Sequence, residues 1–317
     1  MNGAEARIRF QQPMKLVFMG TPQFAVPTLE QTAAAGHEIV AVFTQPDRPK
    51  GRGQKQAMPP VKEAALRLGL PISQPERVRR PEVIEQLEGL QPEAVVVVGY
   101  GQIIPQAILD IPPMGIINVH ASLLPKYRGA APIQWAVANG ESVTGVTTMR
   151  INAGLDTGDM LLRWETKIGL EETAVTLGER LAQAGAELLV RTLADLPSIQ
   201  PEMQDESQAS YAPILKKEDG HIDWSLPSRT ILNRVRGFLP WPGCYGFVRG
   251  QRLHVWKART AERHLPPARL HSQDHRLYAG CGDKAIELVE VQLEGKKKME
   301  AGAFLNGFPL ESEEVLA

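Results

Sequence analysis

The chain has 317 residues, of which 43% are hydrophobic and 22% charged, and a formal net charge of -1. That composition excludes a disordered, fibrous or collagen-like chain, and the length exceeds one ordinary domain, so two globular domains are expected. Cys244 and Cys281 stand far apart without a Cys-x-x-Cys or Cys/His cluster, which argues against a disulfide framework and against a metal site.

The longest apolar runs, such as 94–98, are far too short to span a bilayer, and residues 1–13 lack the apolar core of a signal peptide. No membrane association is expected, and a cytoplasmic location is. Charge is divided unevenly along the chain. Residues 1–212 carry 19 Lys and Arg against 23 Asp and Glu, whereas 213–317 carry 16 against 13, so the second part is the basic one. Such a split permits a polyanionic partner.

In chain order, short apolar runs at 15–19, 38–43, 94–98 and 115–119 read as strands, separated by helix candidates at 22–35, 59–68 and 81–87. This alternation predicts an α/β, Rossmann-like parallel sheet with right-handed crossovers. Two further strands, 146–150 and 160–165, flank a Gly/Asp loop, and 171–193 reads as a long closing helix. Apolar periodicity then fails, and 197–212 reads as a linker between a domain over 14–196 and another over 213–317. Beyond it, β-like runs at 246–248, 253–256, 276–279 and 285–291, with one helix at 229–236, predict a small all-β barrel.

The stretch Asn118-Val119-His120 closes a buried-looking strand, so its amide and imidazole point to one side at the carboxyl end, where open α/β sheets bind ligands. Together they can hold a developing oxyanion and manage a proton. A strand-end cap beside a structural histidine would look the same. The loop Gly154-Leu155-Asp156-Thr157-Gly158-Asp159 can aim Asp156 toward that crevice, although Gly and Asp also dominate ordinary turns.

Taken together, these two stretches resemble the folate-dependent formyltransferases, whose sites use an Asn-x-His pair and a later Asp. The resemblance runs from about residue 15 to about residue 308, through Gly20-Thr21-Pro22-Gln23, Gly99-Tyr100-Gly101-Gln102-Ile103-Ile104-Pro105, Arg128-Gly129-Ala130-Ala131-Pro132 and Phe238-Leu239-Pro240-Trp241-Pro242-Gly243. It implies Asn118, His120 and Asp156 as catalytic residues and 10-formyltetrahydrofolate as co-substrate, without a metal. It also implies that Ser122, Leu123, Leu124 and Pro125 lie along the folate, while Gly101, Ile103, Ile104 and Leu155 wall the pterin pocket. Apolar walls suit such a flat ligand, and ordinary core packing would equally account for any one aliphatic residue. No Gly-x-Gly-x-x-Gly, Gly-Lys-Ser/Thr or Gly-x-Ser-x-Gly pattern points to a nucleotide or a nucleophilic serine.

The segment 44–55 resembles the tRNA-contacting insertion of those family members that formylate initiator methionyl-tRNA. It offers Arg48, Lys50, Arg52 and Lys55 against one acid, Asp47, and a cationic loop of this kind suits phosphates and an opened acceptor stem. An isolated basic run is equally an ordinary solvated face. Ile222-Asp223-Trp224 and Gly295-Lys296-Lys297-Lys298-Met299 resemble the family's OB-fold-like second domain, which contacts tRNA. Relative to the family, residues 1–13 read as an extra, disordered leader. A monomer is expected. The alternative acceptor within the same family is an amino-sugar nucleotide.

Overall fold

The computed structural model of the protein describes residues 13–50, 55–311 and 314–317. The expected leader therefore falls almost wholly outside the described residues. Two units make up the chain: one comprises residues up to Arg128 with Gly145–Thr166 and Gly178–Tyr211, and the other Gly129–Thr144, Lys167–Leu177 and Ala212–Ala317.

The strands of the first half are β1 (Lys15–Gly20), β2 (Glu38–Phe43), β3 (Arg48–Lys50), β4 (Lys55–Ala57), β5 (Ile72–Ser73), β6 (Ala94–Val98), β7 (Ile116–His120), β8 (Arg128–Gly129), β9 (Val143–Arg150) and β10 (Met160–Lys167). Seven of them form one sheet in the order β10-β9-β7-β6-β1-β2-β5. Pairing is parallel from β5 through β7 and antiparallel between β7 and β9. All five residues of β6 are buried, four of them valines, as a central parallel strand covered on both faces requires. The chain moves outward from β1 to β2 and β5, then returns to β6 and β7 on the other side. That reversal opens a crevice at the carboxyl ends of β1 and β6.

Helices α1 (Val26–Ala34), α2 (Pro60–Arg67) and α3 (Pro81–Leu90) each carry proline in their first turn, where no N–H is needed. After α3 come α4 (Gln106–Leu109) and α5 (Pro132–Ala138). The long helix expected at 171–193 is α6 (Ala174–Asp195), and its stripe of Leu177, Leu181, Ala182, Ala186, Leu189 and Leu193 is buried.

The stretch 197–212, which the sequence reads as a linker, is ordered. Met160 and Glu202 exchange backbone hydrogen bonds, and Gln204 is buried, so this segment packs as part of the first unit up to Tyr211. After the short β11 (Tyr211–Ala212) come the elements of the small all-β domain expected there: α7 (Ser228–Gly237), β12 (Cys244–Val248), β13 (Gln251–Thr260), β14 (Leu270–Gln273), β15 (Arg276–Gly280), β16 (Ala285–Leu293), β17 (Met299–Glu300) and α8 (Ala301–Gly307). Its antiparallel sheet runs β12-β13-β16-β15-β14, with β17 beside β16. Ile231, Leu232 and Val235 of α7 close over Leu253, Val255, Ile286 and Leu288 of the sheet. Helix α5 joins this unit although it precedes β9, because Ala131 and Ala138 bury in that core and Trp135 meets Phe238 edge-on at 5.3 Å.

Candidate active site

Asn118 and His120 occupy alternate positions of β7 and so share one face; they are 9% and 6% exposed. His120 ends the strand, opposite Thr147 of β9, and Asn118 sits opposite Val97 of β6 and Met149 of β9. Among the described residues no hydrogen bond engages the Asn118 carboxamide, leaving its N–H groups available to a ligand.

The turn after β7 folds back onto the histidine. Ser122 Oγ donates to the Lys126 carbonyl at 2.6 Å, Thr147 Oγ1 donates to the Ser122 carbonyl at 2.7 Å, and the Leu124 N–H donates to Thr147 Oγ1 at 3.2 Å. These bonds bring the Tyr127 carbonyl to 2.9 Å from His120 Nε2. A carbonyl only accepts, so Nε2 carries a hydrogen, and Nδ1 is the nitrogen left to exchange a proton.

Nδ1 faces Asp156 Oδ2 at 3.7 Å. That is a charge contact with room to spare rather than a hydrogen bond. Asp156 reaches it from the loop between β9 and β10, which starts at the far end of β7, where the Ile151 N–H donates to the Ile116 carbonyl. Asn152 Oδ1 accepts from the Gly154 N–H at 3.0 Å and from Thr157 Oγ1 at 2.8 Å, tightening the loop into an Asx-type turn. Asp156 takes a left-handed φ of 51°, and Gly158 packs so closely on the Arg150 carbonyl that a side chain there would collide with it. An amide, an imidazole and a carboxylate thus come to one end of the sheet from positions 38 residues apart at most, a grouping that can offer a hydrogen-bond donor, a proton-exchanging ring and a proton acceptor.

Residues 14–193 match the family described as Formyl transferase, and residues 214–309 match Formyl transferase, C-terminal domain. The chain belongs to the formyl transferase family. It is 60% identical to a protein of Solibacter usitatus named Methionyl-tRNA formyltransferase over 96% of this chain and 98% of that one. The equivalent protein of Koribacter versatilis is 55% identical, over 96% and 98%. Among solved structures, HypX from Aquifex aeolicus in complex with tetrahydrofolic acid superposes with a TM-score of 0.65 at 16% identity, over 96% of this chain and 51% of that chain. This chain thus spans about half of HypX. An N-formyltransferase from Helicobacter canadensis, solved with folinic acid and dTDP-3-aminofucose, gives 0.65 at 18%, over 90% and 100%. At such identities the likeness is one of fold.

Within this formyl transferase fold the residues expected to line a folate pocket are placed unequally. Ile103 and Leu155 are 91% and 61% exposed, one in the loop after β6 and the other next to Asp156; Gly101 is also exposed. Leu123 and Pro125 are half-buried. Leu124 instead packs with Met149 and Met160, Ile104 belongs to the core beneath β6, and Ser122 is buried with its hydroxyl spent on Lys126. At the switch point Thr21 Oγ1 and Gln45 Nε2 both donate to the Tyr100 carbonyl, at 3.0 and 3.1 Å.

Of the expected cationic loop, β3 and β4 form a two-stranded antiparallel ribbon, with Arg48 opposite Ala57. Arg52 and the side chains of Lys50 and Lys55 lie outside the described residues. Arg48 is exposed, 3.5 Å from Glu76. Asp47, the loop's own acid, is held by Lys62 Nζ at 2.7 Å and Gln74 Nε2 at 2.8 Å, and these bonds keep its carboxyl below the usual range. Lys62 and Gln74 were not legible as partners from sequence, since α2 and the turn after β5 bring them in.

Proposed function

We propose that the chain transfers the formyl group of 10-formyltetrahydrofolate to the α-amino group of methionine esterified to initiator tRNA. The observation that carries this reading is the His120–Asp156 pair beside Asn118 at the end of a central strand. The choice of methionyl-tRNA as acceptor is supported by relatives of that name at 60% and 55% identity over nearly the whole chain.

The amine attacks the formyl carbon, a C–N bond forms, the carbonyl oxygen becomes negative, and the amine sheds a proton. The bond to the folate nitrogen then breaks, and that nitrogen takes up a proton. Asn118 donates a hydrogen bond to the negative oxygen, and the charge of protonated His120 stabilises it. Asp156 orients the ring and, directly or through water, receives the proton lost by the amine. For the folate, Ile103 and Leu155 are the fitting observation: large aliphatics left in water beside a catalytic loop suit the face of a flat ring system.

In this reading residues 14–196 hold the folate and the chemistry, and residues 213–317 add affinity for tRNA, with Arg48, Lys50, Arg52 and Lys55 meeting its acceptor end. The protein acts as a monomer in the cytoplasm, the reducing compartment that suits two unpaired cysteines. The test is incubation with 10-formyltetrahydrofolate and methionine charged on initiator or elongator tRNA, with an amino-sugar nucleotide as competing acceptor. Formylmethionine on initiator tRNA is the expected product. Formylation of the sugar alone would replace this reading.

A further inference from the structure

Arg128 is the largest wholly buried side chain among the described residues. A guanidinium keeps its charge at any physiological pH, so burying it demands acceptors for its five N–H groups. Glu206 accepts two, from Nη1 at 2.9 Å and Nη2 at 2.8 Å, and Gln204 Oε1 accepts two more, from Nε at 3.0 Å and Nη2 at 2.8 Å. The other end of the Gln204 amide turns to the catalytic loop. Its Nε2 donates to the Asp156 carbonyl at 2.8 Å and to the Gly158 carbonyl at 2.7 Å.

Every hydrogen-bonding position of that amide is therefore used, and its orientation is fixed chemically: a guanidinium only donates and a carbonyl only accepts. The loop it holds carries a left-handed backbone at Asp156, a conformation that costs some energy for a residue with a Cβ and that the two hydrogen bonds from Gln204 help to keep. The same segment reaches the histidine side. Ser210 Oγ accepts from the Tyr127 N–H at 2.9 Å and the Ser210 carbonyl accepts from the Arg128 N–H at 2.8 Å, while the Tyr127 carbonyl is the one that receives His120 Nε2.

We infer that Gln204 is a positioning residue for the reaction: its carboxamide, oriented by the buried Arg128 that the exposed Glu206 also binds, holds the loop that sets the Asp156 carboxylate against His120 Nδ1. This rests on reading His120 and Asp156 as the proton-handling pair. Gln204→Glu separates the two ends of the amide, since one carboxylate oxygen still accepts from Arg128 whereas the other meets two carbonyls with no hydrogen to give. The expected result is a kcat lower by about 10- to 100-fold, the scale of a misplaced catalytic group, with KM for both substrates nearly unchanged.

In an Asp156→Ala background the same substitution should cost less than about twofold, because its effect passes through a carboxylate no longer present. Gln204→Met keeps length and burial while removing every hydrogen bond, and it takes over if the glutamate variant does not fold by circular dichroism. The same pattern is expected of it. An unchanged kcat for a folded Gln204 variant, with Asp156→Ala impaired, overturns the inference alone. So does an equal loss in both backgrounds, which would place Gln204 outside the Asp156 route. A wild-type protein that does not formylate methionyl-tRNA overturns the underlying reading as well.

Discussion

Gly185 lies in the middle of α6, where glycine is a poor helix former, and the structure shows what it is for. A methyl group built there would stand 2.9 Å from Val119 Cγ1 and 3.4 Å from a Val146 methyl. Carbon atoms prefer about 3.5–4.0 Å, so the first contact is too close by roughly half an ångström or more. Val119 cannot swing away freely, because its branched side chain is stiff at χ1. It also separates Asn118 from His120 on β7, so relief must come from moving the helix or the strand that carries the site. Overpacking of this kind costs about 1–3 kcal/mol. Alanine in a helix interior recovers about 0.8–1.0 kcal/mol relative to glycine. Gly185→Ala should therefore destabilise by up to about 2 kcal/mol, lowering Tm by several degrees at about 2–4 °C per kcal/mol for a unit of this size. It should also reduce kcat more than KM, although residue 185 lies on the face of the sheet away from the site. The assay is thermal unfolding by circular dichroism beside formyl-transfer kinetics, for Gly185→Ala, Val119→Ala and the double variant. Truncating Val119 makes room for the new methyl, so the pair should be coupled by about 0.5 kcal/mol or more. A Tm that rises, as helix propensity alone dictates, or a strictly additive cycle would refute the packing argument.

Asn118→Ala, His120→Ala and Asp156→Ala should each leave the fold intact and lower turnover by at least ~100-fold; steady-state kinetics of the single and double variants should show strong non-additivity, since the three act on one intermediate. Arg48→Ala should weaken tRNA binding and reduce the slope of log affinity against log salt by ~0.7–0.9 if Arg48 meets one phosphate, and titration across a salt series reads this directly. The loop's one acid does little to offset its cations, because Lys62 already compensates Asp47. In the second unit, hydrogen bonds from Arg249 at 2.9 and 2.5 Å hold the Glu314 carboxyl below its usual range. A carboxyl whose pKa is lower when folded adds stability above its unfolded pKa and loses it as pH falls through the folded one. Glu314→Gln should thus lower Tm at pH 7, and the gap from wild type should close as the buffer is taken below about pH 4.

Much was decided by local sequence. Alternating apolar runs and helix-opening prolines suffice for β1, β2, β6 and β7 and for α1 to α3, because such elements bury their own periodic faces wherever they dock. The Asn118-Val119-His120 spacing put amide and imidazole on one side of a strand for the same reason. Asp156 was readable as a carboxylate in a Gly/Asp loop that could face the crevice, and its role only through resemblance; its approach to His120 depends on a loop that starts at the opposite end of β7. The extent of each unit was not readable, since α5 joins the second unit through Trp135 and Phe238, a contact 103 residues apart in the chain. Least legible was 197–212, whose Pro, Gln, Ser and acidic residues have no apolar period and so carry no local signal. Its structural role comes from meeting the donors of a buried arginine more than 70 residues away, and only the folded chain brings Gln204 and Arg128 together.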